Sequence, residues 1–210
     1  GTRVRALELL AGELGDGAHV LPADLSSAEG VDQLISDATV AIGSIDILVN
    51  NAGLTRDTLA MRMKDDDWQL VLDVNLTSSF RLSKACLRGM MKARWGRIIS
   101  ITSIVGVTGN AGQTNYAASK AGVVGMGIAL AREFAREHIR VMTISPGPFD
   151  TPLFQSMPPK AYQRLVDAAQ FPRRAGKPSE YAQLVTSIIE NPMLNGESIR
   201  LDGAIRMGPR

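Results

Sequence analysis

Residues 97–103, RIISITS, are a short apolar strand, and residues 103–120, SIVGVTGNAGQTNYAASK, lead from its end into a helix. This step from a buried strand through a Gly- and Asn-rich turn to a helix decides the fold, because the same alternation recurs on both sides of it. Upstream, the periodicity predicts a helix over Val4–Leu14 ended by Gly15, and a strand over His19–Leu25. A helix over Glu29–Ile42, capped by Ser26 or Ser27, precedes a continuous apolar strand at Ile45–Val49. Asp65–Arg94 reads as one long amphipathic helical region, interrupted near Asp73–Asn75 and stopped by Gly96, with Asp65, Asp66 and Asp67 favouring its start through the helix dipole. Downstream come a helix over Asn115–Glu137, a strand over Ile139–Ser145 and a Pro- and Met-rich loop with short helices over Gly147–Gly176. A helix over Ser179–Glu190 and a strand over Ser198–Leu201 follow. Strands separated by helices, with no internal repeat and no linker, predict an α/β fold with a parallel, doubly wound sheet, in one domain over 1–210.

Composition bounds the function. The 210 residues are 45% hydrophobic and 21% charged, which places the chain among globular proteins. A net charge of +2, dispersed along the chain, predicts no nucleic-acid partner. The single cysteine, Cys86, rules out an intrachain disulfide framework and reads as a small buried apolar residue in a helix. His19 and His138 have no partners at metal-ligand spacing, so no metal site is expected. No apolar run is long enough for a membrane span, which points to a cytoplasmic protein.

The chemistry is concentrated after the strands. Tyr116 and Lys120, at i and i+4, share one helix face, and Ser103 ends the preceding strand, where open α/β sheets bind ligands. A lone Tyr-x-x-x-Lys is usually a solvated pair. Here it is joined by Asn50-Asn51-Ala52-Gly53 after one strand, Asn75 in the next helix, and Pro146-Gly147 with Thr151 after another strand. A nearby ammonium favours a phenolate, which suits proton transfer coupled to hydride transfer rather than hydrolysis.

With NNAG at 50–53, DVNLTSSF at 73–80, ITS at 101–103, YAASK at 116–120 and SPGPFDT at 145–151, the sequence resembles the short-chain dehydrogenase/reductase family along its whole length. The resemblance implies a Rossmann-like, three-layer α/β/α sheet. It implies Ser103, Tyr116, Lys120 and Asn75 as a catalytic tetrad, with Ser103 and Tyr116 also meeting the substrate. Tyr116 would donate the proton, Ser103 would hold the carbonyl oxygen, and Lys120 would lower the tyrosine pKa and bind the nicotinamide ribose. Asn75 would hold a relay water. Cofactor contacts implied by position are Thr2, Arg3, Asp24, Leu25, Asn51, Ala52, Gly53, Tyr116, Lys120, Pro146, Gly147, Phe149 and Thr151. Arg3, with no acid before Glu8, favours NADP(H), with NAD(H) the alternative.

Within the family, GLTRDTLAMRMKDDDW (53–68) and GNAGQTNYAASKAG (109–122) resemble 3-oxoacyl-[acyl-carrier-protein] reductases, as does the whole of residues 1–122. IRVMTISPGPFDTPL (139–153), EYAQLVTSIIENP (180–192) and NGESIRLDGAIRM (195–207) resemble 3-hydroxyacyl-CoA/17β-hydroxysteroid dehydrogenases. The first expectation is therefore NADP(H)-dependent reduction of 3-oxoacyl thioesters of acyl carrier protein or CoA. The second is NAD-dependent oxidation of a 3-hydroxyacyl-CoA or hydroxysteroid, and the third an inactive fragment or scaffold subunit. A homotetramer paired through helices 65–94 and 115–137 is implied. Arg94 resembles part of a docking patch for acidic carrier protein, but the second basic position of that patch is Glu137 here, beside Arg136. Leu153, Phe154, Met157 and Tyr162 in the loop 152–171 offer an apolar lid for an acyl chain.

The family's glycine-rich phosphate turn, between its first strand and first helix, has no counterpart here. GVTGNAG at 106–112 follows the wrong strand, and Gly125 and Gly127 read as packing positions inside a helix. The start at Gly1, directly before a helix, leads to the expectation that two strands and a helix of the fold precede it, and that cofactor affinity is low without them.

Overall fold

The computed structural model describes residues 2–155 and 157–205. Gly1, Arg206–Met207 and the side chain of Leu153, all used in the sequence reading, lie outside the described residues.

The first helix, α1, spans Val4–Leu14 and ends at Gly15, whose φ of 84° needs a residue without a side chain. None of its side chains is buried, and Leu14 is 68% exposed. Helix α2, Ala28–Ile42, is capped by Ser27, which accepts the Gly30 N–H at 3.0 Å. Strand β1 is Ile47–Asn50. The predicted long helix is α3, Asp65–Leu72, then a single wide π-type turn at Asp73–Thr77, then α4, Ser78–Ala93. Arg94, left-handed at φ 53°, closes α4, so the chain turns two residues before the glycine expected to stop it. Gly96 instead opens strand β2, Gly96–Ile101.

A short helix α5, Val105–Thr108, precedes α6, Thr114–Glu133, with a 3₁₀ turn at Ala135–Glu137. Strand β3 is Ile139–Pro146. The Pro-rich segment carries α7, Pro152–Gln155, and α8, Pro159–Ala168, before α9, Pro178–Glu190, and strand β4, Ser198–Leu201.

All pairings are parallel, in the order β1-β2-β3-β4. Side chains alternate across the sheet. Ile98, Ile139 and Val141 point to one face, where Cys86, Leu87 and Met90 of α4 and Leu130 and Ala131 of α6 cover them. Ile99, Met142 and Ile144 point to the other, against Ile188 of α9. Helices on both faces make the three-layer, Rossmann-like α/β/α sheet that the sequence predicts. Cys86 is buried as expected, and burial pushes its thiol up to about 11.

One expected element is not formed. His19–Leu25 has strand-like residues but runs as irregular chain, because among the described residues no strand lies beside it to supply the ladder of hydrogen bonds. The outer edge of β1 is likewise unpaired, and Ile47 and Val49 are 40% and 41% exposed.

The sheet's packing tolerates little at Gly96, where a Cβ would stand 2.5 Å from Met90 Sδ and 2.8 Å from its Cβ. Met90 is fully buried, so it has nowhere to retreat. Gly96→Ala is expected to lower stability by about 1–3 kcal/mol, the cost of overpacking, measured by denaturant unfolding.

Candidate active site

Because β1, β2 and β3 are parallel neighbours, their carboxyl ends lie along one edge of the sheet. At the end of β2 the ladder continues through Thr102, whose N–H donates to Ile144 O at 2.9 Å. Ser103 follows, buried, its Oγ accepting the Val105 N–H at 3.1 Å. That bond opens α5 and fixes the serine's direction. Thr102 Oγ1 donates to Lys120 O at 2.7 Å, and Lys120 Nζ donates to Ile101 O at 2.8 Å, so two bonds stitch α6 to the end of β2. Gly106 makes the approach feasible: a Cβ there would be 2.9 Å from the Lys120 carbonyl carbon.

Tyr116 sits in the first turn of α6, with its N–H donating to Asn115 Oδ1 at 2.8 Å. Lys120 Nζ is 5.8 Å from the centre of its ring. Asn75 lies in the π turn, 1% exposed. Its Oδ1 accepts the Leu54 N–H at 2.9 Å, and its Nδ2 donates to Leu54 O and to Ser119 Oγ, both at 3.0 Å. Ser119 in turn donates to Tyr116 O at 2.8 Å. The four residues expected to act together are therefore brought together, Asn75 reaching Tyr116 through Ser119. Ser119 was not anticipated, although its place three residues after Tyr116 puts it on the same helix face. Nor was Asn115, fully buried, whose Nδ2 donates to Arg56 O at 3.1 Å.

Electrostatically the cleft departs from expectation. Burial pushes Lys120 down to about 8. Tyr116 is raised rather than lowered: burial outweighs the Ser103 hydroxyl, which works the other way, and the negative charge of Asp57 adds to the rise. The Lys120 ammonium, facing the Ile101 carbonyl at 2.8 Å, does not reverse this. Desolvation is the dominant effect on both groups.

The residues expected around a cofactor divide into two groups. Asn51, Ala52 and Gly53 lie exposed just beyond β1. A Cβ on Gly53 would be 3.3 Å from both Asn75 Oδ1 and Lys120 Nζ, so this backbone borders the tetrad directly. Asn51, Ala52 and Leu25 also line an apolar cleft of about 250 Å³ with Leu34, Leu48 and Leu82. Pro146 and Gly147 end β3, and Gly147 packs so closely on Asp202 that a Cβ would fall 2.8 Å from it.

The other residues are engaged elsewhere. Phe149 packs edge-to-face on Tyr181 at 5.5 Å and against Gly176, and Thr151 Oγ1 accepts the Phe154 N–H at 3.3 Å. Asp24 accepts from the Ser26 N–H and hydroxyl, at 2.9 and 2.7 Å, which hold its carboxyl below the usual range. Thr2 and Arg3 are exposed at the start of α1. In the lid segment, the rings of Phe154 and Tyr162 pack at 4.7 Å. Arg94, expected to face a partner, donates to Glu137 at 3.0 Å and to Arg136 O at 2.8 Å. Among the described residues, no His, Cys, Asp and Glu cluster could hold a metal, and no helix is long and apolar enough to cross a membrane.

Comparison with known proteins identifies the family. The family described as short chain dehydrogenase matches residues 2–161. Nodulation protein G of Rhizobium sp. (strain N33) is 44% identical over 99% of this chain and 85% of its own length. The 3-oxoacyl-[acyl-carrier-protein] reductase FabG of Vibrio cholerae is 44% identical over 92% of this chain and 80% of its own. Human 3-hydroxyacyl-CoA dehydrogenase type-2 is 42% identical, over 96% and 82%. A chain matched along most of its length by the family and by such relatives is a member of it: this protein belongs to the short chain dehydrogenases and is an oxidoreductase.

Proposed function

We propose that the protein reduces 3-oxoacyl thioesters to 3-hydroxyacyl thioesters with NADP(H) as cofactor. The observation that carries this reading is the bare backbone of Gly53, where a Cβ would stand 3.3 Å from the buried Lys120 ammonium and from Asn75, with the centre of the Tyr116 ring 5.8 Å from that ammonium. That bare backbone and the buried ammonium suit the nicotinamide ribose. A glycine turn for the pyrophosphate between a strand and a helix is absent among the described residues. A reduced nicotinamide, when bound, supplies the hydride. In this reading Ser103 donates a hydrogen bond to the substrate carbonyl oxygen, and Tyr116 gives that oxygen its proton. The raised phenol suits a proton donor. Lys120, charged below about pH 8, stabilises the phenolate left behind. Both Nδ2 donors of Asn75 are taken by Leu54 and Ser119, so a relay water would be held through the second lone pair of its Oδ1. Arg3 is the residue that would meet a 2′-phosphate.

The second reading is NAD-dependent oxidation of 3-hydroxyacyl-CoA, and one observation favours its CoA carrier. Arg94 is neutralised by Glu137, which weakens attraction for an acidic carrier protein and leaves CoA as the thioester handle. Carrier choice and cofactor choice are separable, so CoA thioesters are compatible with either direction. The helices α4 and α6, with Phe80 and Ile128 exposed on them, are the surfaces proposed for assembly as a tetramer.

Tyr116→Phe is expected to lower kcat on acetoacetyl-CoA by about 10²–10⁴-fold with folding intact. Steady-state rates and a thermal melt check this, and an unchanged rate overturns the assignment. The same assay with NADPH against NADH separates the two readings; a strong NADH preference rejects the first.

Lys120 also predicts a pH dependence of stability. It titrates at about 8 in the fold and at 10.5 in the unfolded chain. Between these the unfolded state binds the extra proton, so this group adds stability as pH rises from 8 towards 10, by about 2 kcal/mol. Urea unfolding at pH 7 to 10 should show that rise, and Lys120→Met should remove it.

A further inference from the structure

The backbone of Tyr116 is held at both ends by side chains. Its N–H lies in the first turn of α6, where a helix leaves its donors without partners. Gln113, the residue that opens α6, supplies no side-chain cap. Asn115 Oδ1 takes the Tyr116 N–H instead, at 2.8 Å. At the other end the Tyr116 carbonyl accepts from Ser119 Oγ at 2.8 Å. Asn115 is 0% exposed, and its Nδ2 reaches outside the helix. It donates to Arg56 O at 3.1 Å, in the loop after β1, and to Asp67 O at 3.4 Å, in the first turn of α3. The same loop is tied to the approach to α6, where the Thr58 N–H donates to Gly112 O at 2.8 Å. Two carbonyls fix the Nδ2 end of the amide, so its oxygen is the atom turned to Tyr116.

We propose that Asn115 is a positioning residue: by pinning the Tyr116 N–H to the loop after β1 and to α3, it sets where the phenol stands against Lys120 and Ser103. The inference rests on the reading of Tyr116 as proton donor. The helix alone does not fix this residue, because the ladder of helical hydrogen bonds has not begun at its N–H. Packing alone does not fix it either, since Tyr116 is only half-buried. Asn115 supplies an acceptor and a donor from one rigid, fully buried group, and both are needed. The acceptor holds the tyrosine, and the donor holds the acceptor. Misplacing a reacting group by about 1 Å costs on the order of 10²-fold in rate.

The test compares Asn115→Leu and Asn115→Asp with the unaltered chain on acetoacetyl-CoA and NADPH. Leucine keeps the bulk of the amide and neither hydrogen bond. Asn115→Leu is expected to lower kcat by about 10–100-fold, with both KM values within about threefold of the original. In the Tyr116→Phe background the same substitution should leave the residual rate nearly unchanged, whereas general loosening of the fold would lower it by the same factor. A protonated carboxyl imitates the amide, with a C=O that accepts and an O–H that donates. Facing two carbonyl oxygens without water, the carboxyl of Asn115→Asp is held protonated above the usual carboxylate range. The charged groups on the segments around it are Arg56 and Asp67, 3.8 Å apart, and Asp57, which accepts from Gln113. Relative to the unaltered chain, Asn115→Asp should therefore approach full kcat at about pH 5.5 and fall towards the leucine level at about pH 8.5. Circular dichroism gives the folded fraction at each pH, and the pH series carries the test where Asn115→Leu does not fold. A kcat within about threefold of the original in folded Asn115→Leu overturns the proposal. So does an equal loss in the Tyr116→Phe background, or a flat ratio across pH in Asn115→Asp. Failure of both variants to fold, even at the acid end, marks Asn115 as purely structural and overturns it as well. Failure of the underlying reading shows separately, as full activity in Tyr116→Phe.

Discussion

The buried ammonium of Lys120 is the constraint around which this site is arranged. At 3% exposure it has lost nearly all its water, and the Ile101 carbonyl at 2.8 Å gives it back one hydrogen bond. A charge in that position is tolerable only where the surrounding backbone is held rigidly at hydrogen-bonding distance. The chain meets the requirement by stitching: Thr102 binds the carbonyl of the lysine itself, and Gly106 lets α5 lie against the same turn. The carboxyl end of β2 and the first turns of α6 are consequently one unit. Ser103, Tyr116 and Lys120 take their relative positions from it, and depressed lysine and raised phenol are two consequences of the same dry cleft.

A second unit faces it. The π turn at Asp73–Thr77 turns the long helical region so that Asn75 points into the cleft, where it binds Leu54 at both ends and reaches Ser119. Widened helical turns recur at functional sites because they redirect one side chain without ending the helix. Here the redirected amide joins three elements: the loop after β1, the middle of the long helix and the first turns of α6. The joint explains why Gly53 is a glycine. A Cβ there would stand 3.3 Å from both Asn75 Oδ1 and Lys120 Nζ, a tighter fit than side chains usually make.

What the sequence made legible follows from how local each signal is. The parallel strands and most helix limits were readable, because apolar periodicity and terminal glycines act within a few residues, as at Val4–Leu14 with Gly15. The nearness of Tyr116, Lys120 and Ser103 was readable because their spacings place them on one helix face and at a strand end, while Asn75 was added by the family resemblance. The break near Asp73–Asn75 was visible as well, though not its form. Three things were not. The end of the long helix at Arg94 depends on a left-handed residue without a glycine, stabilised by its ion pair with Glu137 far along the chain. The bridge through Ser119 depends on an amide 44 residues away. The direction of the Tyr116 shift depends on burial, which spacing cannot report.

The failed strand at His19–Leu25 sharpens the same point from the other side. Of its residues only Val20 is a strong β former and Pro22 lacks an N–H, and a strand exists only as one member of a pair. The 250 Å³ apolar cleft lined by Leu25, Leu34 and Leu48, the bare edge of β1 and the exposed leucines of α1 are all on the part of the molecule that precedes β2. Ser103, Tyr116 and Lys120, by contrast, take their positions from the end of β2 and from α6, whose apolar side chains Ile98, Leu130 and Ala131 share one buried core. The two regions therefore differ in what holds them. The proton chemistry proposed for Tyr116 would sit on the part with the fuller core, while the surfaces expected to meet the adenine end of a dinucleotide rest on the part with the least packing, so rigidity is concentrated where a tenth of a nanometre would decide whether a proton can move.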